Sequence, residues 1–124
     1  SGTLQLSLFG RDNPARVGAP IRYALTVTND SNERDGQIGI QFQLPAGVRL
    51  ERVSPFANPE LSNFRVDAGV VSLAYIRSME AGEQVTYELV FESNLPQTFD
   101  LTVQARSLRV TQGVSATVST SVVP

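Results

Sequence analysis

The sequence predicts an all-β fold in which two antiparallel sheets pack face to face, and three observations carry that prediction. Apolar residues recur at every second position in short runs, the period of a strand with one buried face. Clusters of Gly, Pro, Asn and Asp interrupt those runs roughly every 8–12 residues. No stretch sustains the 3.6-residue period of an amphipathic helix.

Leu4, Leu6 and Leu8 alternate with Thr3, Gln5 and Ser7, giving a first strand with one wet face. Asp12-Asn13-Pro14 and Val17-Gly18-Ala19-Pro20 then punctuate a loop. Ile21, Tyr23, Leu25 and Val27 alternate with Arg22, Ala24, Thr26 and Thr28 in the clearest strand of the chain, which ends in the polar loop Asn29 to Gly36. Ile38, Ile40, Phe42 and Leu44 share one face of the next strand, with Gln37, Gly39, Gln41 and Gln43 on the other. Pro45-Ala46-Gly47 stops it, because Pro cannot donate to a central ladder and Gly accepts the turn.

Val48, Leu50 and Val53 mark a short strand, and Ser54 to Ser62, with Pro55, Asn58 and Pro59, reads as irregular chain crossing between the sheets. Phe64 and Val66 lead through Asp67-Ala68-Gly69 into Val71, Leu73 and Tyr75, a hairpin. After the turn Glu80-Ala81-Gly82-Glu83 come Val85, Tyr87, Leu89 and Phe91, and beyond Asn94-Leu95-Pro96 come Phe99, Leu101, Val103 and Ala105. Val114, Ala116, Val118 and Val122 alternate with Ser115, Thr117, Ser119 and Ser121 in the last strand. This totals seven to nine strands. Their apolar faces can be buried only by packing two sheets together, with Leu25, Phe42, Leu89 and Leu101 in one layer. The expected architecture is an immunoglobulin-like, Greek-key sandwich, without the Cys and Trp that mark antibody domains.

Two strands echo each other. Gly18-Ala-Pro-Ile-Arg-Tyr-Ala-Leu-Thr-Val and Gly82-Glu-Gln-Val-Thr-Tyr-Glu-Leu-Val-Phe both read glycine, two turn residues, then β-branched, x, Tyr, x, Leu, x, apolar. Their flanks do not repeat, so the echo is read as topology: two neighbouring strands of one sheet, with Tyr23 and Tyr87 on the same buried face. By the same alternation Tyr75 is also expected to point inward.

Composition excludes more than it suggests. At 124 residues, 41% of them hydrophobic, the chain fits one domain spanning residues 1–124. With no Cys there are neither disulfides nor thiolate metal sites, and with no His there is no Ser-His-Asp or Cys-His chemistry. All ten basic residues are Arg, so Schiff-base and Ser-Lys mechanisms are out as well. The net charge of −2 is spread without a basic stripe, which gives nucleic acid no electrostatic footprint. No apolar run approaches the ~18 residues of a membrane span.

Three blocks carry a family resemblance. These are Asp12-Asn13-Pro14 through Val17-Gly18 to Tyr23-x-Leu25-x-Val27-Thr28-Asn29, then Leu44-Pro45-Ala46-Gly47-Val48-x-Leu50, then Met79-Glu80-Ala81-Gly82-Glu83 through Tyr87. In this order they resemble the bacterial conserved-repeat immunoglobulin-like domain, domain-of-unknown-function family eleven, which recurs in long exported and cell-surface proteins. The resemblance covers residues 4–106. It implies a spacer or adhesion module in an extracellular or cell-envelope location, with no catalytic residues to carry over; separately, a chain that opens at once on a strand is expected to be a piece of a longer multidomain protein, and no cofactor is expected.

Individual residues offer few sites. Asp30-Ser31-Asn32-Glu33-Arg34-Asp35-Gly36 invites a weak calcium reading with Asp30, Asn32 and Asp35 as ligands, since hard cations take several oxygens from one loop. Arg34 at the fifth position and Gln41 at the twelfth break the EF-hand pattern, so the loop is read as a solvated connection and no metal is expected. Glu80 and Glu83 flank a turn, where carboxylates are ordinarily just solvated. The uncharged faces of Gln37, Gln41 and Gln43 and of Ser115, Thr117, Ser119 and Ser121 read as plain solvated faces; lateral contact is the sharper alternative, since they lack the charges that discourage edge pairing. The expected function is a non-catalytic structural or spacer module, with adhesion or protein contact as a further role. Its partners would be other domains of the same polypeptide, envelope proteins or glycans, with no nucleic acid and no membrane insertion of this segment. The alternative is a carbohydrate- or protein-binding module using loops 30–36 and 54–62, because recognition residues concentrate in loops.

Overall fold

In the computed structural model, which describes residues 3–124, the chain forms eleven strands. In order they are β1 Leu4–Gly10, β2 Ala15–Arg16, β3 Ile21–Asn29, β4 Asp35–Gln43, β5 Val48–Pro55, β6 Phe64–Asp67, β7 Val70–Leu73, β8 Ile76–Met79, β9 Gln84–Ser93, β10 Gln97–Arg106 and β11 Val114–Val123. One sheet runs β1-β3-β9-β5 and the other β2-β11-β10-β4-β7-β6, with β8 paired to the far half of β4. The result is the expected immunoglobulin-like sandwich. All nine segments legible in the sequence are present. The two unforeseen strands are β2, a two-residue parallel bridge to the end of β11, and β8.

The echoing strands lie side by side. β3 and β9 pair antiparallel with Tyr23 opposite Leu89 and Leu25 opposite Tyr87, so both tyrosines enter the core from one sheet. Both are fully buried, as are Leu25 and Leu89. Tyr23 meets Phe91 edge to face at 5.4 Å between ring centroids, and Phe91 meets Phe42 of the opposite sheet at 5.6 Å. Such contacts add about 0.5–1.5 kcal/mol each beyond area burial.

Two departures from period-2 alternation shape the molecule. Val48, Leu50 and Val53 are all buried although Val53 is out of phase, because the β5–β9 register shifts between Leu50 and Arg52. The extra residue of this bulge turns the second half of β5 so that Val53 again faces inward. The second departure corrects the reading of Tyr75. β7 ends at Leu73, Ala74 and Tyr75 lie outside any strand, and β8 restarts with Ile76 buried; Tyr75 is therefore 64% exposed instead of inward. The break arises because β4 takes two successive partners, β7 along Gln41–Gln43 and β8 along Asp35–Ile38. A continuous ladder would have kept Tyr75 in phase with Leu73.

The stretch 54–62 is only partly irregular. β5 continues to Pro55, then a short 3-10 turn Pro59–Ser62 buries Leu61 before β6 begins in the other sheet. Gly47, at φ +74°, closes the turn after Pro45; a β-carbon there would sit 2.7 Å from Asn94 Oδ1 and 2.8 Å from the Leu95 side chain. The glycine of the Leu-Pro-Ala-Gly block is thus required both for its left-handed backbone and for the close approach of the β9–β10 turn.

The two ends of the described chain lie at opposite poles. Leu4 pairs with Asn29 at one end of β3. Val123 accepts from the Val17 amide, and Gly18 in turn bonds Ser93, at the other end. A ten-residue strand such as β11 spans about 34 Å, which sets the scale of their separation.

Candidate functional site

At the pole that holds Leu4, two buried polar side chains organise the loops. Asn29 is buried at the end of β3, and its Nδ2 donates to the carbonyls of Glu33, Met79 and Glu80 at 2.9, 3.0 and 3.1 Å, while its Oδ1 accepts from Ser31 Oγ at 2.8 Å. A carboxamide is the side chain that can donate to carbonyls and accept from a hydroxyl at once. Asn29 therefore staples the β3–β4 loop to the β8–β9 turn. Within that turn, Glu83 accepts from the Glu80 amide, a local role for both residues.

The residues of the calcium reading take separate partners. Asp30 is exposed and accepts from Gln5 Nε2 at 2.9 Å, and Asn32 is exposed. Asp35 is buried instead and accepts from Ser107 Oγ and from the amides of Gly36 and Arg109, which ties β4 to the β10–β11 connection. The positive φ of Gln37, +54°, lets both Asp35 and Ile38 turn inward although they are three residues apart. Among the described residues, no three Asp or Glu side chains gather as a metal site.

On the outer face of the last strand two hydroxyls pair with β10 of the same sheet: Thr117 bonds Thr102 at 2.8 Å and Ser121 bonds Thr98 at 3.2 Å.

A groove of about 610 Å³ lies on the outer face of the larger sheet. Its floor follows from register. Gln104 of β10 stands opposite Gln41 of β4, Gln41 opposite Ser72 of β7, and Ser72 opposite Arg65 of β6, one polar row across four strands. Two residues along, Arg106 stands opposite Gly39, and the ring of Tyr75 lies over that glycine; a β-carbon on Gly39 would be 2.6 Å from Tyr75 Cε1. An interior strand glycine marks the close approach of another group. Here that group is the aromatic ring released from the core by the β7–β8 break.

No residue of loops 30–36 or 54–62 lines the groove, though Asn63 and Phe64 flank it just past the second loop. The Gln37, Gln41 and Gln43 face, which the sequence offers as a contact surface only as an alternative to a solvated face, contributes Gln37 and Gln41 to the lining. Arg65, Arg106 and Tyr75 were missed as its members. Gly39 among outward glutamines was the available signal.

No protein-family model and no curated protein matches the chain. Solved structures do match. A cohesin module from a family 33 glycoside hydrolase of Clostridium perfringens superposes with a TM-score of 0.67 at 12% identity, covering 98% of this chain and 98% of that one. The major pilin subunit BcpA of Bacillus cereus gives 0.65 at 7% identity, covering all of this chain and 40% of the pilin. AvmM, which catalyses macrocyclization in alchivemycin A biosynthesis, gives 0.64 at 11% identity over 98% of this chain and 89% of AvmM. At these identities the likeness establishes the immunoglobulin-like fold, and a fold shared by modules and an enzyme does not decide function.

Proposed function

We propose that the chain is a non-catalytic structural module of a bacterial cell-surface or exported multidomain protein, set in series with other domains of the same polypeptide. The observation that carries this reading is the placement of the chain ends at opposite poles, beside Asn29 and beside Val17. A module entered at one pole and left at the other extends a polypeptide by its own length. The likeness to a pilin subunit and to cohesin modules supports a role in domain–domain or protein–protein contact outside the cell. The residue inventory supports the absence of catalysis: without His, Lys or Cys, proton transfer near neutral pH and covalent catalysis fall to carboxylates, Ser, Thr or Tyr, and the described carboxylates are dispersed. The motif blocks around Asn29, Gly47 and Gly82 favour the conserved-repeat family as its home.

The test is small-angle scattering on one, two and three copies joined head to tail. The maximum dimension is expected to grow by about 30–40 Å per copy. A compact particle whose length does not grow with copy number would refute the serial reading.

A further inference from the structure

The groove on the larger sheet gathers two of the five arginines that have no carboxylate partner among the described residues; the other three, Arg11, Arg16 and Arg77, lie outside it. Five of the ten arginines, Arg22, Arg34, Arg49, Arg52 and Arg109, lie beside carboxylates. Arg65 and Arg106 make no such pair among the described residues, and both line the groove, whose lining contains no Asp or Glu. In a chain of net charge −2 this is a local reversal of sign. Around the guanidiniums stand the carboxamides of Gln37, Gln41 and Gln104, the Ser72 hydroxyl, and the Tyr75 ring.

Each component has a chemical counterpart. A guanidinium fork matches a carboxylate through two parallel charge-assisted hydrogen bonds. A carboxamide donates and accepts in one plane, as a pair of neighbouring sugar hydroxyls also does. An exposed aromatic ring offers an apolar face to the C–H side of a pyranose. The backbone of β10, β4 and β7 is meanwhile consumed in its own ladders, so the floor of the groove has no free strand edge along which a peptide could add main-chain hydrogen bonds, and only β6 at its margin is an edge strand.

The geometry points to a binding site for an acidic glycan, a chain of hexuronate-type sugars whose carboxylates meet Arg65 and Arg106. The two arginines stand three strand spacings apart across the sheet and two residues apart along it, roughly 16 Å at about 4.8 Å per strand and about 3.3 Å per residue, a span of about three or four sugar units. Gln41 and Gln104 take hydroxyls between them, and Tyr75 packs against a ring at the Gly39 end. The site belongs to strand faces, independent of loops 30–36 and 54–62 and of whether the module is set in series.

The test is calorimetric or NMR titration of the intact chain with oligogalacturonate, alginate and hyaluronan oligosaccharides, with methyl-esterified oligogalacturonate and polyglutamate as controls. At least one uronate oligomer is expected to bind, with the esterified form at least tenfold weaker, as loss of charge-assisted pairs requires. Arg106→Gln and Arg65→Gln are each expected to weaken binding about tenfold while leaving the melting temperature in place, since both side chains are exposed. Gly39→Ala, which pushes the Tyr75 ring off its seat without deleting it, is expected to weaken binding as Tyr75→Ala does. Absence of binding to all three uronate oligomers overturns the proposal. So does equal binding of polyglutamate, which would reveal an acidic-peptide or simple polyanion site, and so does binding that survives every one of these variants.

Discussion

The hydroxyl of Tyr23 lies 2.6 Å from Oγ1 of Thr120, so a strand of the smaller sheet is tied through the core to a strand of the larger one. Its counterpart in the sequence echo behaves differently. The Tyr87 hydroxyl is buried with no hydrogen-bond partner among the described protein atoms. Two residues at equivalent places in matching strands thus carry opposite accounts for the same polar atom.

Phenylalanine substitution separates them. Tyr23→Phe strands the buried Thr120 hydroxyl and is expected to cost about 1–2 kcal/mol, whereas Tyr87→Phe removes an unpaired polar atom and is expected to be neutral or stabilising. Adding Thr120→Val to Tyr23→Phe is expected to recover part of the loss. Urea denaturation of the three variants and the parent measures all of this as shifts in midpoint at constant slope.

Alkali is the second lever. Burial pushes the ionisation of both Tyr23 and Tyr87 up; for Tyr23 the Thr120 hydrogen bond opposes that rise and nearby Asp12 adds to it. A phenol whose folded-state pKa is raised leaves stability intact below the unfolded value of about 10 and removes it as pH rises further, because the unfolded chain releases the proton first. Stability is expected to be flat from neutral pH to about 9 and to fall above about 10. Tyr87→Phe is expected to flatten that limb, which urea midpoints against pH would show.

Asn29 is expected to be among the least replaceable polar residues. Asn29→Ala removes the donor shared by three carbonyls and the acceptor of the Ser31 hydroxyl; Glu33 O keeps Ser31 Oγ and Glu80 O keeps the Glu83 amide, so the expected cost is about 1–3 kcal/mol. Asn29→Asp, which turns a donor into a charged acceptor facing those carbonyls, is expected to cost more. Melting curves of the two variants at neutral pH rank them.

Asp35 makes a parallel case with a local readout. Asp35→Ala removes the acceptor for Ser107 Oγ and for the Gly36 and Arg109 amides, and is expected to cost about 2–4 kcal/mol. Hydrogen exchange is expected to rise first at Arg109 and at Leu108, whose amide bonds Gly36 across the same junction. Uniform exchange across all strands would argue against the local role.

Strand faces were legible because alternation is a local property. Ile21, Tyr23, Leu25 and Val27 are buried together, as are Phe99, Leu101, Val103 and Ala105, and the Tyr23/Tyr87 echo located two neighbouring strands before any pairing was known. Phase breaks were not legible. Tyr75 read as inward because nothing local tells that β4 changes partner from β7 to β8, and the buried role of Asp35 depends on Ser107, 72 residues away in the chain.

The class of fold, the inward faces of the unbroken strands and the turns at Gly47 and Gly82 follow from alternation and turn residues that act over a few neighbours, and the chemistry the chain lacks follows from its composition. That Gln41, Gln104, Ser72 and Arg65 form one row and that Tyr75 covers Gly39 beside Arg106 emerges only in the folded sandwich. Inter-strand register brings together side chains from four strands, and that register is fixed by the packing of the whole sandwich.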